Sequence, residues 1–312
     1  MPFGDMIRVT DEIISFCEKI RRTPYIYLTG GDPLLHPDFW RLLEYFREKQ
    51  LRFCIMGNPF HLTADVCRKM RGLGCVKYQV SLDGLKETHD MFRKPGSFKA
   101  TLEAIRLIKD SGMWAAVMST VSKTNHQEIP ALIDLADELG VDVYAVGRYC
   151  PTSPEKAFDP DIHMTPFEYR AFLDACYERY MAHRDSRTTY QLKDHLWTLY
   201  RYEKGLFDPD ESIPAGAIVD GCNCGRNHLT ILPTGTVYAC RRMRSPVGSV
   251  YEHSLYSLWT SAEFDGYRQY DRFVKCRKCR LKAYCRGCPS VTYGYTHDMY
   301  DADPQCWMEV PE

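Results

Sequence analysis

The sequence predicts an α/β fold with a parallel sheet, followed by a small cysteine-rich domain that contains a β-hairpin. Three observations carry that expectation. Short apolar runs alternate with amphipathic stretches through the N-terminal half of the chain. Those runs are nearly continuous in apolar character, as strands buried on both faces are. Eight of the 14 cysteines lie between residues 222 and 306, and the other six are scattered before them.

The strands come first. Tyr25–Thr29, Leu51–Met56, Val76–Leu82, Trp114–Val121 and Asp142–Val146 are rich in β-branched and aromatic residues. Between them lie helix patterns. Thr10 is placed to N-cap a segment carrying Ile13, Phe16, Cys17 and Ile20 on one face. Pro37 opens a second, with Phe39, Leu42, Leu43 and Phe46. Ser97 starts a third, with Leu102, Ile105 and Ile108, and Asn125 a fourth, with Leu132, Leu135 and Leu139; Pro130 argues for a later start of the fourth. The segment before Tyr25 supplies a helix but no strand ahead of it, so the chain enters the repeat partway through a unit. Residues 165–203 read as two more helices, the first opened by the capping box Thr165-Pro166-Phe167-Glu168. Gly205, Pro209, Pro214 and Gly216 break periodicity, which sets the domains at 1–205 and 206–312. Beyond that boundary His228–Leu232, the turn Pro233-Thr234-Gly235 and Thr236–Cys240 form the hairpin pattern.

Composition excludes several classes. With 312 residues, 45 % hydrophobic and 26 % charged, the chain is neither disordered nor fibrous. A formal net charge of −1 gives no global pull toward nucleic acid or membrane, and neither is expected as a partner. No apolar run approaches the ~20 residues that span a bilayer. No secretory segment follows Met1, so a cytoplasmic location is expected and disulfides rank last among uses of the cysteines.

Cysteine spacing gives the strongest chemical signal. Cys276-x2-Cys279-x5-Cys285-x2-Cys288 places four thiols close together, and Cys222, Cys224, Cys240 and Cys306 make a second four. Eight soft ligands suit two four-thiolate sites, zinc or iron–sulfur. Cys17, Cys54, Cys67, Cys75, Cys150 and Cys176 stand in apolar surroundings and read as core filler. Residues 222–288 hold 12 Lys and Arg against Glu252, Glu263, Asp265 and Asp271. That excess offsets anionic clusters or an acidic partner, although a solvated basic face has the same composition. Two strand ends add polar turns. Thr29-Gly30-Gly31-Asp32-Pro33 lets backbone approach a ligand and offers a carboxylate to an ammonium group. Ser81-Leu82-Asp83-Gly84, followed by His89-Asp90 and Arg93, offers groups for hydroxyls, a carboxylate or an ammonium. Each turn alone also fits an ordinary βα connection.

Taken together, strand-G-G-D-P, strand-S-L-D-G, x4-H-D-x2-R and a cysteine-rich tail resemble a radical S-adenosylmethionine (SAM) enzyme with a SPASM domain. Within the tail, Gly235-x4-Cys240, the C-x2-C-x5-C run and the final Cys306 carry the likeness. The resemblance implies a partial (β/α)6 TIM-like barrel lacking its first strand. It puts the amino group of SAM on Gly30, Gly31, Asp32 and Pro33, with Ser81, Asp83 and Arg93 near the ribose or carboxylate. It assigns Cys222, Cys224, Cys240 and Cys288 to one auxiliary [4Fe–4S] cluster, and Cys276, Cys279, Cys285 and Cys306 to the other. Three departures stand out. The C-x3-C-x2-C loop that holds the SAM-cleaving cluster is absent, since only Cys17 precedes Gly30. Asp32 stands where the family more often has Glu, and Cys285-x2-Cys288 is one residue shorter than the usual C-x3-C.

What the resemblance implies functionally is hydrogen-atom abstraction from a substrate by a 5′-deoxyadenosyl radical. A third [4Fe–4S] cluster is required for this, and reading upstream is expected to uncover its loop. SPASM relatives mostly modify peptides or proteins, so a ribosomally made peptide is the expected substrate. An external electron donor and a separate leader-peptide recognition protein are the expected partners. Arg241 stands directly after Cys240, where the sulfatase-maturing branch carries an acidic base, so thioether or carbon–carbon cross-linking is favoured. Two other readings stay open: a non-catalytic peptide-binding or electron-transfer partner holding only the auxiliary clusters, and a structural zinc module.

Overall fold

The computed structural model describes residues 1–152, 154–214 and 216–311. Contacts group the chain into two compact units. One comprises Met1–Val121, Asn125–Gly147 and Cys176–Gln191; the other Ser122–Thr124, Arg148–Ala175 and Leu192–Glu312.

In the first unit, apolar runs pair into a six-stranded sheet in the order β1-β2-β3-β4-β5-β6. The strands are β1 (Ile26–Leu28), β2 (Phe53–Met56), β3 (Cys75–Ser81), β4 (Trp114–Val121), β5 (Val143–Arg148) and β6 (Thr189–Gln191). The pairings of β1 with β2, β2 with β3, β3 with β4 and β5 with β6 are parallel. This is the parallel α/β sheet that the strand pattern predicted and the partial TIM-like arrangement that the resemblance implied, with β6 as an additional strand. Helices α1 (Phe3–Lys19), α2 (Phe39–Glu48), α3 (Ala64–Gly72), α4 (Lys86–Phe92), α5 (Ser97–Asp110) and α6 (Ile129–Glu138) alternate with the strands. Phe53, Ile55, Tyr78, Val80, Ala115 and Tyr144 are fully buried, so the sheet interior is the core of this unit.

Helix starts differ from expectation in two places. Thr10 lies inside α1, where its hydroxyl donates to the Met6 carbonyl at 2.7 Å; the helix begins after Pro2. The α-helix opens after Asp38 rather than at Pro37, because a short 3-10 turn, Pro33–Leu35, takes up the preceding residues. Pro130 sits in the first turn of α6, so that helix starts later than Asn125, as the proline requires. The capping box forms as spaced: Thr165 N donates to Glu168 Oε2 at 2.8 Å and Glu168 N to Thr165 Oγ1 at 3.2 Å.

The second unit contains α7 (Pro154–Ala157) and α9 (Leu196–Glu203); α8 (Pro166–Ala182) runs from this unit into the first. The expected hairpin is β7 (Thr230–Ile231) against β8 (Thr236–Tyr238), and β9 (Pro246–Ser249) adds a third antiparallel strand. Short helices α10 (Leu255–Trp259), α11 (Ala262–Asp265) and α12 (Pro289–Thr296) follow. Val237, Val247, Leu255, Leu258, Phe264 and Val291 are buried in it.

Candidate functional site

The Gly30–Pro33 turn leaves the end of β1. Gly30 has φ +149°, a conformation that a side chain rarely allows. Asp32 then caps the 3-10 turn, its Oδ1 accepting from Leu34 N at 3.1 Å. The other oxygen, Asp32 Oδ2, is buried and accepts no hydrogen bond from the described residues; His61 Nε2 stands 3.8 Å away. A buried carboxylate oxygen left without a donor is costly, so this atom suits the ammonium of a ligand. Asn58, which the sequence gave no reason to select, braces the turn by donating Nδ2 to Gly31 O at 3.1 Å. The Tyr78 hydroxyl in turn donates to Asn58 O at 3.0 Å.

At the end of β3, Asp83 is 3 % exposed and its carboxylate is fully engaged. Oδ2 accepts from Arg93 Nε at 2.9 Å and Nη2 at 2.6 Å, and Oδ1 from Thr120 N at 2.8 Å. Its backbone N donates to His89 Nδ1 at 3.1 Å, and its carbonyl accepts from Asn125 Nδ2 at 2.5 Å. Burial holds the His89 pKa below its ordinary value, which keeps the ring neutral and Nδ1 free to accept. Asp90 caps α5 through bonds from Gly96 N at 2.9 Å and Phe98 N at 2.7 Å, and these hold its pKa low. Thus His89, Asp90 and Asp83 shape the turn, whereas Arg93 is half exposed with Nη1 outside its pair to Asp83. The Ser81 side chain makes no hydrogen bond among the described residues and is partly exposed. A separate cavity of about 560 Å³, lined by Tyr25, Lys49, Arg52, Lys77 and Trp114 among others, touches none of these turns.

In the second unit the tail thiols fall into two groups by the charges that act on each. Cys222 feels Cys288 and Cys240, and Cys224 feels Cys222, Cys240 and Cys288. Cys276 feels Cys306 and Cys279, while Cys285 feels Cys306 and Cys276. Burial pushes Cys222 and Cys276 up to about 12. Several sulfurs already accept backbone N–H groups: Cys222 from Cys224, Cys240 from Arg242 and Cys279 from Leu281, each at 3.4 Å. Such donors stabilise thiolates and the sulfurs of a cluster.

Local structure explains the placements. Cys240 sits at a turn closed by Ser245, whose Oγ accepts from Cys240 N at 2.9 Å and donates to Cys240 O at 2.8 Å. Gly287, at φ +60°, makes the short Cys285-x2-Cys288 spacing workable. A Cβ there would lie 2.4 Å from Asp303 Oδ2, the atom that accepts Cys288 N at 2.8 Å. Asp303 is itself held by Arg148, whose Nη1 and Nη2 reach its two oxygens at 2.7 and 2.8 Å and whose Nε reaches Asp194 at 2.8 Å.

No three His, Cys, Asp or Glu side chains among the described residues converge as a single-ion site. A four-iron cluster is held by four cysteine thiolates, and the eight tail cysteines supply two such sets.

Of the six scattered cysteines, Cys54, Cys67, Cys75 and Cys176 are fully buried, as core filler should be. Cys150 differs: it is only partly buried, and its Sγ stands 3.2 Å from Ser290 Oγ.

Comparison with known proteins agrees with this picture. The Radical SAM superfamily model matches residues 2–136, and the SPASM iron–sulfur cluster-binding domain model matches residues 222–289. An AdoMet-dependent heme synthase of Methanosarcina barkeri is 29 % identical over 98 % of this chain and 88 % of its own length. An Fe-coproporphyrin III synthase of the same organism is 33 % identical over 97 % of this chain and 79 % of its own. The mycofactocin maturase MftC of Mycobacterium ulcerans is 26 % identical over 96 % and 79 %. Among solved structures, Streptococcus suis SuiB bound to S-adenosylmethionine shares the fold, with TM-score 0.73, 17 % identity and coverage of 97 % of this chain and 70 % of that one. The chain therefore belongs to the radical SAM superfamily and carries its SPASM iron–sulfur domain, with SAM and [4Fe–4S] clusters as cofactors.

Proposed function

We propose that this chain acts as a radical SAM oxidoreductase on an iron tetrapyrrole of the heme or coproporphyrin type. The observation that carries the substrate reading is the likeness, at 29 and 33 % identity along nearly the whole chain, to two enzymes named for such molecules. The 12 Lys and Arg between residues 222 and 288 support it, since they suit a substrate bearing several carboxylates.

SAM and a reduced four-iron cluster, whose C-x3-C-x2-C loop is not among the residues of this sequence, would together supply a hydrogen-abstracting carbon radical. This chain's residues bind and orient. Asp32 Oδ2 takes the ammonium of SAM, with the Gly30, Gly31 and Pro33 backbone lining the approach. Arg93 presents Nη1 to a carboxylate or ribose oxygen, held in place by Asp83, and Ser81 offers a hydroxyl beside it. Cys222, Cys224, Cys240 and Cys288 would hold one auxiliary cluster; Cys276, Cys279, Cys285 and Cys306 would hold the other. An external one-electron donor completes the system.

Peptide modification is the second reading, favoured by the 26 % likeness to MftC, a maturase; a separate leader-recognition protein belongs to that reading. Titration of the anaerobically purified protein with iron coproporphyrin III distinguishes the two. The expected result is a saturable shift of the porphyrin absorption band. No shift, together with saturable binding of a ribosomal peptide encoded beside the gene, overturns the tetrapyrrole reading.

A further inference from the structure

His61 stands in the loop between β2 and α3, beside the one oxygen of the Gly30–Pro33 turn that has no donor. The Asp32 side chain is 2 % exposed, and its Oδ2 accepts nothing from the described residues. His61 Nε2 stops 3.8 Å from that oxygen, too far for a hydrogen bond, and its side chain is half exposed. The loop is braced on both sides of the histidine. Gly57 N donates to Gln79 O at 3.2 Å, and the Asn58 side chain ties the loop to Gly31. A Cβ at Gly57 would lie 2.2 Å from the Tyr78 hydroxyl that holds Asn58. Lys94 Nζ sits 3.5 Å from the centre of the Phe60 ring. Leu62 N closes the turn on Pro59 O at 3.3 Å, and Thr63 Oγ1 caps α3 by accepting from Val66 N at 3.2 Å.

Asp32 and His61 therefore offer a ligand an acceptor and a donor side by side. An α-amino acid head group presents the matching pair, an ammonium and a carboxylate on one carbon, with nitrogen and oxygen roughly 3 Å apart. An ammonium bonded to Asp32 Oδ2 brings the carboxylate of the same head group within reach of the histidine. Asp32 alone would repel that carboxylate, and a donor beside it removes the conflict. Neutral or charged, imidazole can carry a proton on Nε2.

We propose that His61 binds the carboxylate of SAM, donating Nε2–H to one of its oxygens while Asp32 takes the ammonium. The two side chains then read both charges of one head group, and Arg93 Nη1 is left for a ribose oxygen. The inference rests on the assignment of the Gly30–Pro33 turn to the SAM ammonium.

The test measures dissociation constants for SAM and for decarboxylated SAM, which keeps the ammonium and lacks the carboxylate. The proteins are wild type, His61→Ala, His61→Gln and Asp32→Asn, purified anaerobically, with thermal midpoints to check that each is folded. In His61→Ala the constant for SAM should rise about tenfold, the loss of one charge-assisted bond, while that for decarboxylated SAM should stay within about twofold. His61→Gln, whose side-chain amide still donates, should recover part of the loss. An equal loss for both ligands overturns the inference alone, by making His61 a support of the turn. Tighter SAM binding in His61→Ala also overturns it, by making His61 a competitor of the ammonium for Asp32. Unchanged constants for both ligands in His61→Ala do the same. Binding of neither ligand by wild type, or no loss of either in Asp32→Asn, overturns the assignment of the turn beneath it.

Discussion

Side chains of one signature divide into those that build a turn and those left for a ligand. Asp83 has donors on both oxygens, whereas Asp32 keeps one buried oxygen without any. Substitution should separate them. Asp32→Asn should weaken SAM binding by tenfold or more, the equivalent of one charge-assisted bond of about 1.5–3 kcal/mol, and leave the thermal midpoint nearly unchanged. Asp83→Asn should lower the midpoint by several degrees as well, since Arg93 loses its partner. Calorimetric titration and thermal unfolding on both variants check this; equal effects on both readouts would refute the division. His89 supplies a pH test. Its folded-state pKa lies below the free-imidazole value near 6.5, so its contribution to stability is complete above that pH and is lost as pH falls through the folded-state value. Burial lowers His163 and His228 in the same direction. The urea midpoint should therefore fall between pH 7.5 and 5.5, and His89→Gln should flatten that slope without abolishing it. Sequence alone could name His89, Asp90 and Arg93 but not sort them, because turn-building and ligand-binding use the same polar groups.

Elements were legible in proportion to their length and periodicity. The expected strands at β2, β3, β4 and β5 and the helix at α5 appear within a few residues of their expected bounds, the strands as nearly continuous apolar runs and α5 with one apolar face. β6 escaped because Thr189–Gln191 is three residues of mixed polarity, paired only through Val143, Tyr144 and Ala145. Thr10 misled because a threonine bonded to the carbonyl four residues back sits inside a helix as readily as at its start. The capping box at Thr165 was read correctly because its two reciprocal bonds depend only on local spacing. Its contribution is measurable: Thr165→Ala should cost about 1 kcal/mol in urea unfolding. Thr165→Ser, which keeps the accepting oxygen, should cost much less. A cost for serine equal to that for alanine would mean that the methyl group's packing, and not the cap, is what matters.

For the molecule as a whole, the question is what holds the cysteine-bearing segments in shape. Spacing singles out the eight thiols as candidate ligands, whereas nothing local announces the residues that support them. Arg148, Asp194, Asp303 and Gln305 are all nearly fully buried and joined by charged hydrogen bonds, yet the outer members of the group are 155 and 157 residues from Arg148. No local pattern connects residues so far apart. Val237 and Phe264, which are fully buried, lie outside the thiol-bearing stretches. The stretches bearing the thiols have little else: residues 276–288 hold one short 3-10 turn, Cys276–Lys278, and residues 222–229 hold only turns. Where regular structure is sparse, the free energy of metal binding becomes folding free energy. Anaerobic chelation of the purified protein should therefore speed amide hydrogen exchange at residues 222–240 and 276–306 by tenfold or more. Exchange in β2, β3 and β4, whose residues carry no cluster ligands, should change little. A uniform rise that includes those three strands would show instead that iron stabilises the whole chain, and unchanged exchange throughout would show that the tail folds without it.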